Sequence, residues 1–171
     1  MATADRSRGR ALAATLTLGA TLLAACGGAP GPQRDGAGEI TAAGEVRLLK
    51  LREGDCVDNL RSALDDAEGG PNGVPKVRAV PCADLHDGEV LRIKPIADST
   101  YPGPAIIDGE ASRGRIELRP RLDRAKQQAG ADARRQFSLL TFRPSDDRWD
   151  FEHQREIFYL ALYNQPRRGR F

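Results

Sequence analysis

Residues 157–163 read Ile157-Phe158-Tyr159-Leu160-Ala161-Leu162-Tyr163. The run has no charge and no polar alternation, which predicts a strand covered on both faces. Its covering layers can be sought outward from there. Gln136 to Arg143, QFSLLTFR, predicts a neighbouring strand. Residues 104–131 predict helix in two pieces. Ile106, Ile107, Glu110, Ala111 and Gly114 belong to the first; Pro120 opens the second, with Leu122, Ala125 and Ala129 on one face and Gly130 near its end. Upstream, strands are expected over Gly88–Ile96, over Lys76–Cys82 and around Val46, Leu48, Leu49 and Leu51. Residues 65–76 and the run Tyr101-Pro102-Gly103-Pro104 read as loop and turn. Strands, then helix, then strands predict an α+β domain over residues 45–165: a small, mainly antiparallel sheet with one or two helices packed on one face. The basic tail 166–171, with Arg167, Arg168 and Arg170, is expected to fray or to touch anionic lipid.

The chain of 171 residues, 40% apolar and 29% charged, has the balance of a single globular domain. Its 26 basic and 24 acidic residues leave only +2, which argues against a nucleic-acid partner. That surplus belongs to the N-terminus. Arg6, Arg8 and Arg10 precede an uncharged run, Ala11 to Ala25. This run is shorter than the roughly 20 residues of a permanent membrane span. It closes on Leu23-Ala24-Ala25-Cys26, which resembles the lipobox of bacterial lipoproteins. Small side chains let extended backbone enter a peptidase cleft, and the Cys26 thiol can form a thioether to diacylglycerol. The resemblance implies a signal peptide over residues 1–25, a lipidated Cys26, and an anchor on the extracytoplasmic face of the cell membrane. Removing residues 1–25 takes three Arg and Asp5 away and leaves the mature chain formally neutral. After Cys26, residues 27–44 (GGAPGPQRDGAGEITAAG) read as a flexible Gly/Pro tether. A coil of that length spans roughly 20–25 Å.

Two further cysteines remain, Cys56 and Cys82. An even remainder in an exported chain predicts a disulfide, whose loop closure contributes about 3.5 kcal/mol in the chain-entropy account.

Gly54-Asp55-Cys56, Val80-Pro81-Cys82 and His86-Asp87-Gly88-Glu89-Val90 together resemble the septum-formation domain of actinobacterial envelope proteins. Tyr101-Pro102-Gly103, and Pro144 to Trp149 with Arg155 downstream, are similar to its second half. The likeness runs over residues 45–163. Such domains often carry a second Cys pair, one in the helix and one in the last strand. Here Arg115, Ile116 and Tyr159 stand in those places, so Tyr159 is expected to bury its ring, with Arg113 or Arg115 as its hydroxyl's partner. The resemblance implies a place in the cell envelope, at the division septum, and implies no reaction.

Several chemistries compete for these residues. Cys82, His86 and Asp87 could form a nucleophilic set, but Cys56 is an obvious oxidising partner that would remove the thiolate. Cys56, Cys82, His86 and Asp87 could supply zinc ligands, yet no C-x-x-C is present and exported thiols oxidise. Asp146, Asp147, Asp150 and Glu152 surround Trp149 and could do acid/base work on glycans. The segment Ser145 to Asp150 reads more simply as a polar loop whose Trp149 plugs the edge of the core. His86-Asp87-Gly88 reads as a strand-entry turn, with Asp87 bonding its own backbone and Gly88 taking positive φ. His86, Asp87 and Trp149 are the candidate recognition residues. The expectation is a lipid-anchored module, not an enzyme, without metal or cofactor, that binds an envelope protein or a wall polymer. A wall-metabolism enzyme using Asp or His groups and a purely structural lipoprotein are the alternatives.

Replacing Cys26 by Ser should abolish incorporation of a fatty-acid probe and leave unprocessed precursor. Continued labelling of that variant would refute the lipobox reading.

Overall fold

The computed structural model describes residues 30–67, 73–128 and 137–171; residues 1–25, Cys26 and the start of the expected tether lie outside this set. In chain order the described elements are β1 (Gln33–Arg34), β2 (Ile40–Ala42), β3 (Gly44–Arg47), β4 (Cys56–Asp58), α1 (Leu60–Ala67) and β5 (Lys76–Val80). There follow β6 (His86–Pro95), α2 (Pro104–Gln128), β7 (Phe137–Phe142), α3 (Asp146–Phe151) and β8 (Glu156–Arg167). Six strands form one sheet in the order β3-β5-β4-β6-β8-β7, and β1 and β2 form a separate hairpin. Every neighbouring pair is antiparallel. The fold is α+β.

The unbroken apolar run of β8 explains the layering. Side chains alternate across a strand. Phe158, Leu160 and Leu162 enter one core with Leu48, Val57, Leu60, Val77 and Val90. Ile157, Tyr159, Ala161 and Tyr163 enter the other with Leu91, Ile107, Ala111, Leu118 and Trp149. Helix α2 lies on the second face, as expected, and α3 joins it there through Trp149. The first is covered by α1 and by the turn at Leu48–Lys50, elements that the sequence reading did not anticipate.

Three local expectations are corrected. The helical stretch 104–128 is one helix, with Pro120 inside it. An interior Pro removes a backbone hydrogen bond and crowds the preceding turn. Leu118 and Leu122 are both buried in the same core on either side of it, and this anchoring carries the helix through. Ser145 to Asp150 is no loop: the Ser145 hydroxyl accepts from Arg148 N at 3.3 Å, and Asp146 and Asp147 occupy the first turn of α3. The tether 26–44 is not flexible throughout. Residues 33–44 are structured, and Arg34 makes two hydrogen bonds to the buried Asp55, at 2.8 and 2.6 Å. The domain therefore begins before residue 45.

Tyr159 is fully buried, as expected, but its hydroxyl donates to the Glu110 and Ala111 carbonyls at 3.3 and 3.2 Å rather than pairing with Arg113 or Arg115. Those arginines bond Glu110 and Thr141 instead. Gly114 makes room for the ring. A Cβ there would fall well inside the van der Waals radius of the Tyr159 hydroxyl and 3.0 Å from its Cε2.

Gly114→Ala should therefore cost about 1–3 kcal/mol, the usual range for overpacking, and Tyr159→Ala about 3–5 kcal/mol. In denaturant titrations the double variant should lose clearly less than the sum, because the added methyl enters space the ring has left. Strict additivity would show that the two side chains do not meet.

Candidate functional site

A buried polar cluster lies where β4, β6 and β8 meet. Cys56 on β4 pairs across the strand with Glu89 on β6, and Glu89 pairs with Ala161 on β8. His86 and Glu89 are an odd number of residues apart, so strict alternation would place them on opposite faces. The β6–β8 register shifts between His86 and Gly88, an irregularity of the kind that re-aims a side chain. Ligand-capable atoms of Cys56, His86 and Glu89 then lie within 4.8 Å of one another, all from buried residues. Cys56 is disulfide-bonded to Cys82, the expected bridge, with Cα atoms 5.2 Å apart.

Glu89 is 1% exposed and its carboxylate needs donors. Its Oε2 accepts from the Tyr163 hydroxyl at 3.2 Å and from the Phe171 backbone N–H at 2.6 Å. Arg121 on α2 stands 3.9 Å from Oε1. Burial, and then the Glu89 carboxylate, push the Tyr163 phenol well above its usual pKa. His86 packs edge-on against Tyr163, with ring centroids 5.9 Å apart. Its Nδ1 is 2.9 Å from the Asp84 carbonyl. A carbonyl only accepts, so this bond places a proton on Nδ1, and in the neutral ring the lone pair is then on Nε2. That Nε2 is buried and has no hydrogen-bond partner among the described residues.

The C-terminal segment closes the cluster. Gly169 N donates to the Cys82 carbonyl at 2.7 Å, and Arg168 Nη1 to the Ala83 carbonyl at 3.0 Å. The Phe171 ring meets Phe137 edge-on at 4.9 Å, under the Arg121 guanidinium. The expected fraying of residues 166–171 is thus corrected: β8 runs on to Arg167, and the tail is strapped over the disulfide.

None of the three candidate recognition residues is a free surface group. His86 is 0% exposed. Asp87 does not bond its own backbone; it accepts from Leu60 N and Arg61 N at 2.8 and 3.1 Å and so caps α1. Nor does Gly88 have positive φ: it sits in β6, where a Cβ would come within 2.8 Å of Val57 Cγ2. Trp149 is buried under the Arg155 guanidinium, 4.0 Å from its ring, with Tyr101 edge-on at 5.8 Å. The structure thus joins three of the residues quoted for the second half of the resemblance. The acidic cluster does not converge on a reacting centre either. Asp146 and Asp147 serve the start of α3, and Glu152 pairs with Arg47. Sequence reasoning missed Glu89, because its partners lie on distant segments and its neighbour Asp87 looked like the ligand.

Tyr163→Phe should cost about 1–3 kcal/mol at neutral pH, since it takes a donor from a buried carboxylate. A raised phenol pKa stabilises the fold fully below the unfolded value near 10 and less as pH climbs toward the folded one. The penalty of Tyr163→Phe should therefore shrink in unfolding titrations above about pH 10. A penalty that stays constant with pH would mean the phenol is not held in its neutral form. No family model matches this chain, and no curated protein or solved structure is significantly similar to it.

Proposed function

We propose that this chain is a lipid-anchored, extracytoplasmic binding module of a bacterial cell envelope, attached through Cys26, and that it acts by tethered recognition of an envelope protein or wall polymer. The observation that carries this reading is the Cys56–Cys82 disulfide, which joins the first residue of β4 to the turn after β5. Such bridges persist in oxidising compartments outside the cytoplasm. A lipobox-like Cys26 upstream agrees with that compartment. Resemblance to septum-formation domains over residues 45–163 extends the proposal to the division septum. No described helix is long and apolar enough to cross a membrane, so the proposed attachment is the lipid.

A binding role fits the chemistry better than catalysis. The Cys82 sulfur of the imagined nucleophilic set is bonded to that of Cys56, and the His86 imidazole is fully buried. The surface left for recognition includes a groove lined by Arg47, Lys50, Glu152, His153 and Glu156, beside an 81% exposed Phe151. Anchoring would raise the effective concentration of that surface against anything fixed in the same envelope.

Protein extracted from the envelope without reductant should partition into the detergent phase and show neither Cys56 nor Cys82 alkylated by mass spectrometry. Recovery in the aqueous phase would overturn the anchoring, and alkylation of both thiols would overturn the oxidised-module reading.

A further inference from the structure

We propose that the Cys56–Cys82 bridge masks a thiophilic divalent-metal site, formed by Cys56, Cys82, His86 and Glu89 when the disulfide is reduced. This inference uses the disulfide but is independent of the anchoring.

The donor set is already gathered. Cys56, His86 and Glu89 offer a sulfur, an imidazole nitrogen and a carboxylate oxygen within 4.8 Å of one another. The Cys82 sulfur is bonded to that of Cys56 and so lies at the same place. Two thiolates, one imidazole and one carboxylate are all donors that Zn²⁺ accepts, and four such groups complete a tetrahedral shell. The supporting contacts are also in place. Metal-binding histidines fix their tautomer by donating the other ring N–H to a carbonyl or carboxylate. His86 does so to the Asp84 carbonyl at 2.9 Å, which leaves the buried, unpartnered Nε2 as the donor. Glu89 is likewise held through Oε2 by Tyr163 and Phe171, while Oε1 has only Arg121 at 3.9 Å. In the oxidised chain the sulfurs carry no charge, and neither is a thiolate ligand. A lone pair left bare in the interior costs free energy that a metal bond would recover.

The switch balances as follows. A dithiol reductant gives two electrons and two protons to the S–S bond, becoming a cyclic disulfide itself. Cys56 and Cys82 become thiols. Zn²⁺ then displaces both thiol protons and forms two Zn–S bonds. Cys82 is only partly buried, so its sulfur is the one for the reductant to attack. Gly169 and Arg168 hold the backbone carbonyls of Cys82 and Ala83 while the bridge opens.

The test uses the full chain with Cys26→Ser, so that Cys56 and Cys82 are the only thiols. After reduction with a phosphine, Co²⁺ should bind one per chain and give a sulfur-to-cobalt charge-transfer band, which Zn²⁺ abolishes. The oxidised chain should give no such band. His86→Gln and Glu89→Gln should each weaken Co²⁺ binding at least tenfold. In the reduced, Zn²⁺-loaded chain, nitrogen NMR of labelled histidine should show ligation at Nε2 of one of the two histidines, which keeps the test open if a variant fails to fold. The proposal is overturned by equal Co²⁺ binding in the oxidised chain, by histidine signals unmoved by Zn²⁺, or by a reduced chain that unfolds and is not refolded by metal.

Discussion

Strand β8 is the constraint on which the remaining structure depends, because its seven apolar residues can be buried only if both faces of the sheet are covered. The β6 and β7 ladders satisfy its backbone on both edges. Its side chains then divide the interior into two cores that share no residue. One core needs the long helix α2, and the other needs the short α1 and the N-terminal turns. The closest junction is between Tyr159 and the Gly114 backbone, where a bare backbone lets a phenol reach two carbonyls of α2. Packing and hydrogen bonding there hold the helix to the last strand, the two elements that a second disulfide is expected to join in the resembling domains.

The second constraint is electrostatic. A carboxylate at 1% exposure is tolerated only when donors surround it. Glu89 obtains them from β8 through Tyr163 and from the tail through the Phe171 N–H. This explains why a tail rich in arginine is ordered. Its backbone supplies a buried anion, while Arg168 reaches the Ala83 carbonyl and Arg170 pairs with Glu39. The strap, the disulfide and Glu89 therefore form one unit, and disturbing any of them exposes the others.

The legible parts of the sequence were those governed by local pattern. The unpolar run 157–163 announced its own burial, and the Gly and Pro residues bounded β5, β6 and β7 to within a few residues. The even number of cysteines left after Cys26, read with the expectation of export, pointed to the bridge. What was not legible depended on distant partners. Residues 33–44 look like linker by composition, and only the Arg34–Asp55 pair and the β1–β2 hairpin show them to be folded. Pro120 looked like a helix start because its neighbours Leu118 and Leu122 could not be seen to share one core. Ser145-Asp146-Asp147 carries a helix N-terminus signal, but the helix it opens has only six residues, too few to show an apolar period. Glu89 was hidden by its distant partners and by a second cause: an irregular register lets residues of opposite parity meet, and no periodicity argument reports that.

The ordered N-terminal hairpin changes the geometry of the proposed anchoring. A tether running to residue 44 would let the domain wander over roughly 20–25 Å. The first strand begins at Gln33, so seven residue steps separate it from Cys26, a reach of at most about 25 Å even when fully extended. On that proposal the tether is shorter than a coil running to residue 44, and the hairpin is the part of the domain nearest the anchor. The hairpin is tied to the rest of the molecule by Arg34–Asp55 and Arg170–Glu39, so the end of the sheet carrying the disulfide and the strap would share the membrane-facing side.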